Sequence, residues 1–194
     1  MFLPNCSKSA RHWFALALFL VSTAATAATA TKDDEARAKV RAQSSQVLTR
    51  LYAAQPGARN AIAASHGYAT FSRWGLTLGA VGGSIGKGLA VAEPSKKEIF
   101  MRFVEGSAGI GLGIKKYDLI FVFENDKAFA NFVDKGWQGG AHATAAAKSK
   151  SGGSAIEGAA AVSPGIWVYQ VTDKGLAAEI GIKGTKYYKD TSLN

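Results

Sequence analysis

The strongest constraint on the fold of this chain is a segment in which glycine occupies every second position. Successive side chains of a β-strand point to opposite faces, so such a segment has one face of bare backbone and one apolar face. The segment alternates Gly109, Gly111 and Gly113 with Ile110, Leu112 and Ile114, and Lys115 and Lys116 follow it. Because glycine weakens strands, three in register indicate that another part of the protein, or a ligand, packs closely against the bare face.

Short apolar runs separated by glycine-rich or charged turns continue from Gly67 to the end of the chain, and this pattern is typical of β-strands. One helix interrupts them, with Asn125 as its cap and Gly136 at its end. The pattern predicts strands near residues 68–72, 76–81, 88–92, 98–104, 109–115, 119–124, 138–146, 155–161, 166–171, 176–182 and 186–188, and a flexible polar loop at 148–154. Many short strands with tight turns predict a mostly antiparallel sheet that is strongly curved or barrel-like.

Residues 31–66 form a predicted N-terminal helical segment. Acidic residues 33–35 favour a helix start, and an apolar stripe follows at helical spacing. Pro56 and Gly57 break the helix, and a second short helix is predicted at 58–65. The predicted fold class is therefore α+β, with this helix pair, one short inserted helix and the curved sheet. Residues 31–66 and the β-rich core 67–194 are expected to form one domain.

The first thirty residues have the layout of a secretory signal peptide. Lys8 and Arg11 precede the apolar run 13–21, and A-x-A cleavage sites follow at 25–27 and 28–30. The sequence predicts removal of residues 1–30 and a periplasmic or secreted protein. The alternative is an uncleaved anchor, because no charge occurs from Trp13 to Thr31, about the length that spans a bilayer. The weakly apolar alanines and threonines favour the signal peptide.

The composition of the mature chain disfavours several chemistries. The only cysteine of the full sequence, Cys6, lies in the signal segment. The cleaved chain would therefore have no thiol for a disulfide, for thiolate catalysis or for a cysteine-ligated zinc site. His66 and His142 lack a second ligand-type residue nearby, which disfavours a metal site. The glycine-rich segment 79–88 has neither phosphate-loop spacing nor a following helix, which disfavours a nucleotide. We therefore expect no enzyme and no cofactor; an enzyme acting on lipid or cell-wall material is the weaker alternative.

The charge of the chain is basic and widely spread. The net charge of +9 falls to +7 without Lys8 and Arg11, and no basic block of the kind found in nucleic-acid tails occurs. Nucleic acid is therefore not an expected partner. A modest positive charge fits attraction to an anionic lipid surface, and it fits simple solubility equally well.

Several segments occur in the order typical of one protein family. Residues 51–59 match "LY…PG.R", 72–76 match the "KAG" turn with Arg73 in the place of lysine, and 82–88 match "GG.yG.G". Residues 106–109 match the start of "GS.GlQ.G", and 175–176 with 184–186 match the closing "KGL…lEGsk". The chain resembles the SYLF-domain family, in particular its small exported bacterial members. It departs from the family pattern at Ser72, Gly113 and Ile85, where relatives often carry proline, glutamine and an aromatic residue.

The resemblance implies a non-enzymatic lipid-binding module, since eukaryotic relatives bind phosphoinositides and some associate with actin. For an exported protein, the expected partner is anionic phospholipid at an envelope membrane, bound peripherally through basic turns and the amphipathic N-terminal helix. The predicted contact residues are Arg73, Lys87, Lys115, Lys116, Arg37, Arg41 and the interfacial Trp74. The alternative is an envelope structural or protein-interaction domain that pairs with a protein partner through open strand edges.

Overall fold

The computed structural model describes residues 11–139, 156–177, 180, 182 and 184–194; for residues 11–31, 74–82 and 107–115 it describes the backbone only. The helices are α1 (Arg11–Ala54), α2 (Ala58–Ala63) and α3 (Asp126–Ala130), which continues into a π-helical turn (Asn131–Lys135). The strands are β1 (Gly67–Ala92), β2 (Lys97–Phe123), β3 (Trp137–Gln138), β4 (Ala160–Ser163), β5 (Ile166–Thr172), β6 (Gly175–Leu176) and β7 (Thr185–Lys189). The predicted loop at 148–154 and most of the predicted strand at 138–146 lie outside the described residues.

Helix α1 begins earlier than predicted and is continuous to Ala54. It contains neither glycine nor proline, so nothing in its sequence interrupts it before the predicted break at Pro56. The chain divides into two compact units, Met1–Ala38 and Lys39–Asn194, and the sheet belongs to the second. Among the described helices, none combines the length and the apolar character needed to cross a bilayer.

Strands β1 and β2 form one long antiparallel hairpin. Pairing runs from Gly67 opposite Phe123 to Ala92 opposite Lys97, with residues 93–96 as the turn. The prediction of six short strands here was wrong, because the glycine-rich segments that suggested turns keep the strand backbone and its pairing. Gly83 and Gly106, for example, lie between predicted strands but are paired opposite each other.

The hairpin is bent so that its two halves face each other. We call each half, which contains a part of β1 and a part of β2, an arm. Residues 101–105 of β2 pair with β7, whereas residues 118–123 pair with β5. The ring of Phe71, in one arm, lies 6.0 Å from the ring of Phe103, in the other. A register shift between Gly79 and Val81 lies at the bend. The predicted antiparallel, strongly curved sheet is confirmed: the seven described strands form one curled half-barrel sheet.

The inner face of the sheet holds an aromatic core, onto which α3 and the π-helical turn pack. Its aromatic members are Phe71, Phe103, Phe121, Phe123, Phe129, Phe132 and Tyr187, with Trp137 at its border. Asn125 caps α3 as predicted, since its Oδ1 accepts a hydrogen bond from the amide of Ala128 at 2.9 Å. On the outer face, the C-terminal part of α1 and the whole of α2 cover one arm through Val47, Leu51, Ala58 and Ile62, which pack on Ile120, Val122, Tyr169 and Val171.

The close approach of the two arms gives a stability prediction at Gly88. A Cβ atom at this position would overlap both the Phe71 ring and the carbonyl oxygen of Thr70. We therefore expect Gly88→Ala to lower the free energy of unfolding by about 1–3 kcal/mol, measured by urea denaturation. Gly106→Ala is the matched control, because nothing lies within 4 Å of its Cβ position. Equal losses in the two variants would contradict the close packing of the arms.

Candidate functional site

The outer face of the arm that pairs with β7 carries two rows of side chains across neighbouring strands. Residues opposite each other in register share a face, and Phe103 points inward, so its neighbours Arg102 and Val104 point outward. The first row is Ile85, Val104, Lys186 and Gln138, and the second is Lys87, Arg102 and Tyr188. We call the surface formed by Ile85, Lys87, Arg102, Val104, Lys186 and Tyr188 the outer-face patch.

The apolar part of the outer-face patch is the pair Ile85 and Val104. Ile85 is 81% exposed and Val104 is 40% exposed, and among the described side chains these two are the exposed large hydrophobic residues. They lie directly opposite each other, so their Cβ atoms are roughly 5 Å apart. Burial of two adjacent aliphatic side chains requires a partner, which makes this pair a candidate contact surface.

The cations beside this pair share one buried carboxylate. Lys87 and Arg102 lie opposite each other, where two like charges repel. Asp190 Oδ2 lies 2.8 Å from Arg102 Nε and 3.6 Å from Lys87 Nζ. Burial acts to raise the pKa of Asp190, but hydrogen bonds from Ser192 and the ion pair with Arg102 outweigh it, and the net shift of the pKa is downward. The same ion pair raises the pKa of Arg102, so both groups are ionised at neutral pH.

The C-terminal turn fixes the position of Asp190. The Asp190 amide donates to the Phe100 carbonyl at 2.9 Å, and Oδ1 of Asp190 accepts from Ser192 Oγ at 2.6 Å and from the Ser192 amide at 3.1 Å. The Asn194 side chain closes the turn by bonding both backbone groups of Phe100, at 3.0 and 2.8 Å. The carboxylate is therefore anchored to β2, whereas the lysine beside it has a long flexible side chain.

Arg73 does not lie on a surface. Its side chain is 1% exposed and forms an ion pair with Glu105, and it donates to Tyr117 Oη at 2.5 Å and to Thr185 Oγ1 at 3.1 Å. The guanidinium also lies over the rings of Tyr117 and Phe103. Because the two arms of the hairpin enclose it, we correct the sequence-based expectation and leave Arg73 out of the proposed contact set.

The other predicted contact residues are dispersed. Arg41 Nε bonds Glu98 at 2.7 Å, and its guanidinium lies over the Phe100 ring. Arg37 bonds Asp34 at 2.8 Å in the first unit. Lys116 is exposed beside a small polar cavity of about 30 Å³. The side chains of Trp74 and Lys115 lie outside the described set, so of the predicted residues only Lys87 belongs to the outer-face patch.

Sequence reasoning missed Ile85, Arg102, Val104, Lys186 and Tyr188. Strict alternation in β2 and β7 was the available signal, since Arg102 and Val104 flank Phe103, and Lys186 and Tyr188 flank Tyr187. The register that brings these pairs together was not readable from either strand alone. No group of three or more histidine, cysteine or acidic residues able to hold a metal occurs among the described residues.

Comparison with known proteins gives two matches. Residues 104–194 match the family described as "Ysc84: Las17-binding protein actin regulator". "Beta cell expansion factor A" of Aeromonas veronii is 30% identical over 159 residues, which are 82% of this chain and 59% of the relative. The chain thus spans about three fifths of that relative's length, and neither description names an enzymatic reaction. The resemblance seen in the sequence is confirmed: residues 104–194 match the Ysc84 (SYLF) domain family.

Proposed function

We propose that this protein is an exported, non-enzymatic lipid-binding protein that docks peripherally on envelope membranes rich in anionic phospholipid. The observation that carries the proposal is the exposed Ile85–Val104 pair with Lys87, Arg102 and Lys186 around it. Aliphatic side chains of this kind enter the boundary between headgroups and acyl chains, while the cations beside them meet phosphates.

The expected strength of docking is modest. A cation near an anionic membrane contributes about 1 kcal/mol, and one of the three charges is offset by Asp190. Burial of an aliphatic side chain adds about 1.5–3 kcal/mol at most. The sum favours reversible association that depends on both membrane charge and ionic strength.

Docking on the surface fits the described interior better than extraction of a lipid. The inner face of the sheet is filled by mutually packed aromatic rings, with Phe71 and Tyr187 centroids only 4.7 Å apart. An acyl chain needs a cavity an order of magnitude larger than the one beside Lys116. We therefore propose that the lipid remains in the bilayer while the outer-face patch contacts it.

Co-sedimentation with vesicles tests the function. Binding of the purified protein is expected to rise with the fraction of phosphatidylglycerol and to fall as salt increases. The double variant Lys87→Gln/Lys186→Gln should bind about tenfold more weakly, because two patch charges are lost. Lys127→Gln/Lys135→Gln is the matched control, since it removes two exposed lysines at α3 and the π-helical turn. Binding that ignores salt, or equal losses in both double variants, would contradict docking through the outer-face patch.

Binding to a protein partner is the second candidate function. The family description favours it, because it names a protein, Las17, as the partner of family members. An exported protein would instead meet a partner chain of the envelope. Purified protein that ignores anionic vesicles but is retained by one envelope protein would replace the lipid proposal with this one.

A further inference from the structure

Lys87 and Arg102 hold the carboxylate of Asp190 unequally. Arg102 Nε is at ion-pair distance, 2.8 Å, whereas Lys87 Nζ is 3.6 Å away, beyond hydrogen-bond distance. The Lys87 side chain is about one third exposed and its stem is flexible. Asp190 itself is buried and tied to Ser192 and Phe100, so it cannot follow the lysine outward.

We propose that Asp190 is the resident counter-ion of an anion site, and that a membrane phosphate takes its place beside Lys87 while Arg102 stays on Asp190. This inference rests on the proposed function and assigns separate roles to the two cations. Lys87 is the exchangeable phosphate ligand, and Arg102 anchors the carboxylate. Asp190 is a positioning residue that keeps the cations together in the free protein and competes with the phosphate in the bound one.

The competition has a direct physical origin. Two cations that lie within 3.6 Å of the same carboxylate oxygen would attract phosphate strongly if no anion stood between them. Asp190 supplies that anion from inside the protein, so a phosphate gains only the difference between its own attraction to Lys87 and that of the carboxylate. The affinity for an anionic surface is consequently held below what the cations alone would give, and release from the membrane is fast.

Asp190→Asn tests the proposal, because asparagine keeps an oxygen that can accept from Ser192 and removes the charge. We expect binding to phosphatidylglycerol vesicles on the order of tenfold tighter, with no change on neutral vesicles. Asp134→Asn is the control, since it makes the same charge change at an exposed residue outside the outer-face patch. Thermal unfolding checks the fold, and Asp190→Ser is a second charge-removing variant should the asparagine variant unfold.

A second background separates the proposed role from a merely structural one. In Lys87→Gln protein, Asp190→Asn should tighten vesicle binding much less than it does in the wild type, because only Arg102 is then released from the carboxylate. A gain as large as that in the wild type would overturn the assignment of the two cations, since a general effect of charge or a loosened turn would explain it.

Inorganic phosphate serves as a probe that does not depend on membranes, with the Arg102 Nε–H signal followed by NMR. Tighter phosphate binding by Asp190→Asn than by the wild type, with no vesicle binding by either, would keep the anion site and overturn the proposed function. Vesicle binding that is equal in the two proteins would keep the function and overturn the role of Asp190. Binding of neither probe by either protein would overturn both.

Discussion

Replacing Arg73 by methionine is expected to lower the free energy of unfolding by about 3–5 kcal/mol. The substitution leaves Glu105, which is 19% exposed, beside the apolar methionine side chain and without its ion-pair partner. It also removes donors to Tyr117 and Thr185. A domain of this size has a total stability of about 5–15 kcal/mol, so urea denaturation should show a much lower midpoint.

Two further variants decide whether the charge pair is the cause. Arg73→Met/Glu105→Met should recover a large part of the loss, because no buried charge then remains unpaired. Arg41→Met breaks the ion pair with Glu98, in which the two side chains are 48% and 34% exposed, and should cost no more than about 1 kcal/mol. A double variant as unstable as the single one would show that packing of the guanidinium, and not its charge, holds the arms together.

Replacing Phe71 by alanine is expected to cost about 3–5 kcal/mol. Its ring lies within 6.3 Å of four other aromatic rings, those of Phe103, Phe121, Phe132 and Tyr187. Because these rings come from both arms of the hairpin, from strand β7 and from the π-helical turn, truncation opens a cavity at the centre of the inner core. Urea denaturation followed by near-ultraviolet circular dichroism measures the loss.

A double-mutant cycle makes this prediction specific to the bend. Gly88→Ala is destabilising in the wild type because its Cβ overlaps the Phe71 ring, but in Phe71→Ala protein that Cβ partly fills the cavity. The cost of Gly88→Ala should therefore become smaller in the Phe71→Ala background, although overlap with the Thr70 carbonyl remains. Additive effects would mean that the two arms do not contact each other at this point.

Elements with local signals were predictable from the sequence. The cap at Asn125, the end at Gly136, the break at Pro56 and strand β5 all depend on residues within one turn or one strand. The long hairpin was not predictable in this way, since a glycine-rich segment reads equally as a turn or as a bent strand. Only pairing with the opposite strand, such as Gly83 with Gly106, distinguishes the two.

The candidate site shows the same limit. Lys87 was singled out from its glycine-rich surroundings, but Arg73 had similar neighbours and is buried. The two residues differ in their acidic partners. Arg73 pairs with Glu105, 32 residues further along the chain, whereas Lys87 lies beside the carboxylate of Asp190 in the C-terminal turn. The outer-face patch combines residues from three strands, and their distance along the chain hides the grouping until the register is known.

The bent hairpin also constrains the order in which the protein folds. Each residue pair that forms outward from the turn at 93–96 enlarges the closed loop by only two residues. Pairing of β1 with β2 can therefore proceed stepwise at little entropic cost per step. Contacts between the arms, such as Arg73 with Glu105, require the zipped ribbon to bend first. We therefore expect the aromatic inner face to form before the bend covers it, and this face is prone to aggregation until the ribbon has bent.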